Sequence, residues 1–206
     1  MLSGPEILRR IKLGHSRKDS LTIVPLPDLQ RLEARAEASI DLKLGRWFLA
    51  LRQARIDRIN LSGLTSERPQ DEKLRDLGKE HFVPFGSEFI LHPGRFVIGI
   101  TLEWIRLPET AGGYVTGKSS LGRHGLVIET AAAIHPRFSG CLALEIANIG
   151  EVPLVLCPGM PVAQLLLHGV TGKSKAANST FDGRRKPYLR EPKADALMEA
   201  LSQEVI

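Results

Sequence analysis

The chain has 206 residues, with 28 lysines and arginines against 23 acidic residues, for a net charge of +5 and an apolar content of 43%. This composition suits one soluble domain with peripheral additions and a sizeable core, and no apolar run reaches the roughly 18 to 20 residues of a membrane-spanning helix. Positive charge favours anionic partners, but the basic residues are dispersed and aromatics amount to only 5%, which favours a small polyanion over nucleic acid.

The opening residues lack the basic-then-apolar order of a signal peptide, so the expected address is the cytoplasm. There, Cys141 and Cys157 are expected to be reduced thiols acting as small buried hydrophobes. Ser3-Gly4-Pro5-Glu6 reads as a helix start, with Ser3 and Glu6 as a capping box and Pro5 in the first turn. Ile7, Leu8, Ile11 and Leu13 then place a short helix over about 3–14. Residues 20–25 are strand-like, and 29–38 could hold a further helical turn or two.

From Ser39 the texture changes. Ser39-Ile40-Asp41-Leu42-Lys43-Leu44-Gly45 alternates polar and apolar residues before turning at glycine, a strand signature. Residues 61–80 are polar with little periodicity and read as a surface excursion that could carry one helical turn. Strands are then expected near 88–91, 95–102, 113–116, 125–129, 141–147, 154–157 and 162–167. Short strands at this spacing, with no long helices between them, predict a mainly β fold: a distorted antiparallel barrel or sandwich. The expected division is a β-barrel domain over 1–170 and a polar, basic arm with a terminal helix over 171–206. The arm is expected to hang off the barrel.

Two segments could carry chemistry. Gly117-Lys118-Ser119-Ser120-Leu121-Gly122-Arg123 combines flexible backbone, hydroxyl donors and cations, which is what phosphate oxygens require. Its glycine-to-lysine spacing is not that of a P-loop, and a plain basic turn is the alternative reading. Glu145 interrupts the apolar run Cys141-Leu142-Ala143-Leu144-Glu145-Ile146-Ala147. A carboxylate there is costly unless paired, so it is either a structural ion pair or a carboxylate tuned for acid/base work. A zinc deaminase would need His-x-Glu and Pro-Cys-x-x-Cys segments, and neither is present. The six histidines form no close ligand pairs, so no protein-bound metal is expected, and no nucleophile elbow appears.

Together these segments resemble the dCTP deaminase family, within the dCTP deaminase and dUTPase superfamily. The similarity runs from about residue 39 to 168, through Ser39–Gly45, His92-Pro93-Gly94, Gly117–Leu126, Ile134–Gly140, Leu144-Glu145, Asn148 and Pro158–Leu165. The resemblance implies a dUTPase-like barrel, a homotrimer with sites at subunit interfaces, and zinc-free deamination of cytosine C4. It also implies a deoxynucleoside triphosphate substrate (dCTP, with dUTP or dTTP as further ligands) accompanied by magnesium. Carried over, Glu145 is the general base, and Ser119 and Arg123 hold the attacking water. Lys118 and Ser120 contact phosphate within the Leu121-Gly122 turn, while the backbone near Ala131, Ala143 and Leu144 reads the pyrimidine. Gln164 lines the site. In the arm Arg185 matches a family arginine while Arg184 stands in place of a glutamine, and the arm is expected to close over the triphosphate and to order only when nucleotide is bound.

His135 stands where the family usually has an aspartate against the deoxyribose 3′-hydroxyl. Histidine can still bond a hydroxyl but is a poor replacement for a hydrolytic carboxylate, which favours deamination over pyrophosphate release. A dUTPase-type or bifunctional enzyme, and a non-catalytic regulatory trimer, stay open as alternatives.

Overall fold

In the computed structural model, residues 1–14, 18–35, 37–51, 59, 61–62, 77–130, 133–172, 183–189 and 196–203 are described. Helix α1 (Gly4–Lys12) opens the chain, followed by β1 (Thr22–Val24), α2 (Leu29–Arg35), β2 (Ser39–Lys43), β3 (Trp47–Leu51) and β4 (Gly78–Phe82). Then come β5 (Phe89–Leu91), β6 (Phe96–Arg106), β7 (Ala111–Gly117), a one-turn helix α3 (Ser119–Gly122), β8 (Leu126–Glu129) and β9 (Ser139–Asn148). Strands β10 (Leu154–Leu156) and β11 (Pro161–Gly169) and the terminal helix α4 (Ala196–Gln203) complete the order. The fold is mainly β and antiparallel, as the strand spacing predicts.

A six-stranded sheet runs β4-β3-β6-β9-β8 with β1 added to β6; β2-β11-β7 form a second sheet, and β10-β5 a third. Alternation along β2 turns Ile40 and Leu42 inward, where with Leu44 they are at most 1% exposed. They meet Phe48, Val97, Leu144, Ile146 and Leu165 in one core that also takes in Ile7 of α1. Each such side chain contributes about 1.5–3 kcal/mol by leaving water.

Three features differ from expectation. Ser3 makes no side-chain capping bond; Glu6 instead accepts from Arg9 at 2.7 Å and Arg10 at 2.8 Å, and the two guanidiniums hold its carboxyl down to about 2. The end of the polar stretch 61–80 is strand β4, and residues 63–76 lie outside the described residues. Among the described residues β4 pairs with β3 alone, and such an edge strand needs no apolar face. Finally, residues 183–189 do not hang off the barrel. Gly183 donates to Ser139 O at 2.7 Å, and Arg184 O accepts from Cys141 N at 2.8 Å. Lys186 reaches Glu80 at 3.1 Å and lies over the Trp47 ring. Two main-chain bonds and a cation–π contact explain the anchoring: β9 offers this stretch an open edge at its start.

Candidate active site

Strand β7 delivers the chain to the basic turn. A Cβ at Gly117 would meet Ile128 Cβ at 3.2 Å, so glycine lets β7 end close against β8. Lys118 N then donates to Val162 O on β11 at 3.0 Å, while Leu121 and Gly122 donate back to Lys118 O. The side chains of Ser119, Ser120 and Arg123 are exposed, whereas Leu121 packs against the core. His124 Nδ1 stands 2.9 Å from Ser120 O. The turn closes at Gly125, whose φ of 87° is a left-handed conformation that disfavours side chains.

Lys118 and Gln164 meet through Asp41, a polar residue of strand β2. Asp41 Oδ1 accepts from Lys118 Nζ at 2.7 Å and from Gln164 Nε2 at 3.3 Å. Its second oxygen pairs with Arg31 of α2 at 3.3 Å. The register supplies this meeting: β11 pairs Gln164 with Asp41 on one side and with Thr116 of β7 on the other. The resulting corner gathers the Lys118 amine and the Gln164 amide around the Asp41 carboxylate, with the Ser39 hydroxyl 3.3 Å from the same amide.

Glu145 departs from its expected setting. Strand β9 buries Leu144 and Ile146 completely but leaves Glu145 exposed. The period of two turns the carboxylate to the outer face, so no burial cost attaches to it within one chain. Its cross-strand partner on β8 is another carboxylate, Glu129; like charges directly opposite are mildly unfavourable. The exposed Arg123 and Glu145 form no ion pair among the described residues. Half-buried Ala143 and buried Leu144 lie on the same strand, and Ala131 lies outside the described residues.

The remaining predicted residues collect at the opposite end of β9. Arg184 bridges Gly140 and stacks on Tyr188, and Arg185 is exposed beside it. Exposed His135 occupies the turn before β9, bonded through its carbonyl to Phe138 N. In the same turn Arg137 has φ 68° and pairs with Glu109 at 3.1 Å. Ser139 and Glu145 are six positions apart on β9, roughly 20 Å at about 3.3 Å per residue. One chain therefore joins Lys118 to Gln164 and sets Glu145 beside Glu129, while Arg184 bridges the start of β9 at Gly140.

A second carboxylate, Glu103, is buried at 3% exposure. It sits where pairing of β6 with β9 breaks between Ile100 and Trp104. There Thr101 Oγ1 donates to Glu103 O and accepts from Leu142 N, while Glu103 Oε2 accepts from Lys43 N at 2.9 Å. Burial raises the Glu103 carboxyl above its ordinary range, and the Lys43 amide only partly offsets this. With the folded value above the unfolded one, the ionised form is the costly form: stability is highest in acid and falls as pH rises through the folded value. Glu103→Gln keeps an acceptor for Lys43 without a charge. Thermal melts from pH 5 to pH 8 should show wild type losing more Tm than this variant, and parallel losses would contradict the assignment.

Cys141 is a buried free thiol pushed up to about 11 by desolvation, and Cys157 is free and half-buried. Among the described residues no three His, Cys, Asp or Glu side chains gather as a metal cluster, and no helix is long and apolar enough to cross a membrane.

A family model described as dCTP deaminase-like matches residues 1–170. Among similar proteins, a dCTP deaminase of Natronomonas pharaonis is 41% identical over 166 residues, covering 80% of this chain and 78% of the relative. A protein of Halobacterium salinarum named dCTP deaminase, dUMP-forming, is 37% identical over 189 residues, covering 91% and 89%. Among solved structures, the 2′-deoxycytidine 5′-triphosphate deaminase from Agrobacterium tumefaciens superposes with a TM-score of 0.56 at 22% identity. That match covers 81% of this chain but only 45% of the other, so this chain spans under half its length. At that identity the superposition supports the fold alone.

Proposed function

The chain belongs to the dCTP deaminase-like family, and from that premise we propose that it hydrolyses dCTP to dUTP and ammonia, with Glu145 as general base. The observation that supports this reading is that the chain carries both an exposed carboxylate on β9, Glu145, and a corner where the Lys118 amine and the Gln164 amide, donors of the kind phosphate oxygens accept from, meet at Asp41. In the reaction, Glu145 takes a proton from water as its oxygen adds to cytosine C4, and passes it to ring N3. It then carries the hydroxyl proton to the amino nitrogen, the C4–N bond breaks, and ammonia leaves as the C4 carbonyl forms. A general base of this kind contributes about 10²–10⁴-fold.

Ser119 and Arg123 orient the water and the base, and Ser120 and Lys118 bind phosphate. Leu121 and Gly122 shape the turn, while main chain near Ala131, Ala143 and Leu144 reads the pyrimidine and His135 meets the sugar hydroxyl. Magnesium arrives on the triphosphate, and zinc takes no part. The chain works as a homotrimer with sites at subunit interfaces, as the family resemblance implies, and Arg184 and Arg185, carried at the Ser139 end of β9 roughly 20 Å from Glu145, serve a neighbour's site. Residues 1–170 form the catalytic unit, 171–206 the arm, and the enzyme works in the cytoplasm on free nucleotide.

A second reading, a bifunctional enzyme that continues to dUMP, is favoured by relatives named dUMP-forming at 37 to 38% identity. One assay separates the readings. With dCTP, dUTP and magnesium, ammonia without pyrophosphate supports deamination alone; both products support the bifunctional enzyme. Nucleotide binding with neither product leaves the non-catalytic regulator and removes the proposal.

A further inference from the structure

We propose that Asp41, braced by Arg31 of α2, is the positioning residue of the phosphate end, a role that rests on the functional reading above. Three donors converge on this one half-buried carboxylate: Lys118 at 2.7 Å, Gln164 at 3.3 Å and Arg31 at 3.3 Å. Gln164 is held a second time, at 3.3 Å from Ser39 Oγ on the same strand. Arg31 is in turn gripped by Glu37 at 3.2 Å. The chain from Glu37 through Arg31 and Asp41 to Lys118 and Gln164 therefore links a helix, β2, the basic turn and β11.

This arrangement has a specific consequence. A lysine on a flexible stem presents a mobile point charge, and fixing it costs rotamer freedom. Asp41 meets that cost before ligand arrives, since its oxygen already holds the ammonium beside the Gln164 amide. An ammonium has three donors, so one bond to Asp41 leaves two for phosphate oxygens. Asp41 also neutralises part of the local positive charge, which Arg31 restores through the second carboxylate oxygen. The net charge of the four groups Arg31, Asp41, Lys118 and Glu37 is zero without ligand, and the affinity for an anion comes from placement rather than excess charge. Asp41 does not touch the reacting atoms; it acts through Lys118 and Gln164.

The test is a double-mutant cycle on the full chain, with dCTP turnover and inhibition by inorganic tripolyphosphate as readouts. Asp41→Asn should raise KM for dCTP by about tenfold, the scale of a lost charge-assisted bond, with kcat unchanged. The inhibition constant of tripolyphosphate, which has no base or sugar, should rise by the same factor. In a Lys118→Met background the substitution should add little. An equal loss in that background, or a fall in kcat at constant KM, would overturn the proposal. Arg31→Gln keeps the test open if Asp41→Asn folds poorly: this partly exposed pair should give a KM increase of about threefold, and no change would count against the bracing role. Wild-type protein that binds tripolyphosphate but releases no ammonia from dCTP would defeat the functional reading alone, and calorimetry with tripolyphosphate would still decide the role of Asp41.

Discussion

Glu145→Gln is expected to lower kcat for dCTP deamination by about 10²–10⁴-fold while leaving the Kd of dCTP within a few-fold of wild type. Glutamine has nearly the shape of glutamate but cannot take the proton from water or hand it to the departing amine. Because Glu145 stands on the outer face of β9, between completely buried Leu144 and Ile146, the substitution touches no core packing. It also removes one member of a like-charged cross-strand pair with Glu129, so stability should hold or rise slightly. Equilibrium binding, single-turnover kinetics and a thermal melt together give the signature: turnover lost, affinity and Tm kept. Retained turnover would remove Glu145 from the chemistry. Loss of Tm along with turnover would make the carboxylate structural.

Gly125→Ala is expected to be the most damaging small substitution near the site. The added Cβ would lie 2.7 Å from Gly150 N and 2.8 Å from Gly150 Cα, backbone atoms that cannot step aside as a side chain would. The residue also has φ 87°, which costs an L residue roughly 1–2 kcal/mol. Strain and clash together should exceed about 3 kcal/mol, or about 6–12 °C in Tm for a chain of this size. Gly122, three positions earlier, has open space around its would-be Cβ and no positive φ. Its alanine variant should melt within about 2 °C of wild type, and equal losses at the two positions would refute this account of the turn.

The parts of the fold legible in the sequence are those governed by alternation. Ile40 and Leu42 enter the core and Asp41 leaves it, as the period of two requires. Strand β4 was not legible, because an edge strand of Gly-Lys-Glu-His-Phe carries its pairing in the backbone and not in an apolar face. Glu145 stands out in the sequence as a carboxylate among apolar neighbours, a signal that misjudges its burial. The alternating buried residues belong to one face, and Ala143 and Ala147, half-buried on the other, are too small to mark it as dry. The role of Asp41 is not legible in the sequence for a different reason. Its partners Lys118 and Gln164 are 77 and 123 positions away, and only the pairing of β2 with β11 places them around it. Glu103 likewise became meaningful only with the register break opposite Leu142.

The proposed mechanism places the oxygen of water at cytosine C4, so dCTP turnover in water enriched in heavy oxygen tests it most directly. Mass spectrometry of the nucleotide product should find one heavy oxygen in the uracil base, matched by one ammonia released. Label in the phosphates with an intact cytosine, or consumption of dCTP without ammonia, would contradict hydrolytic deamination by this chain.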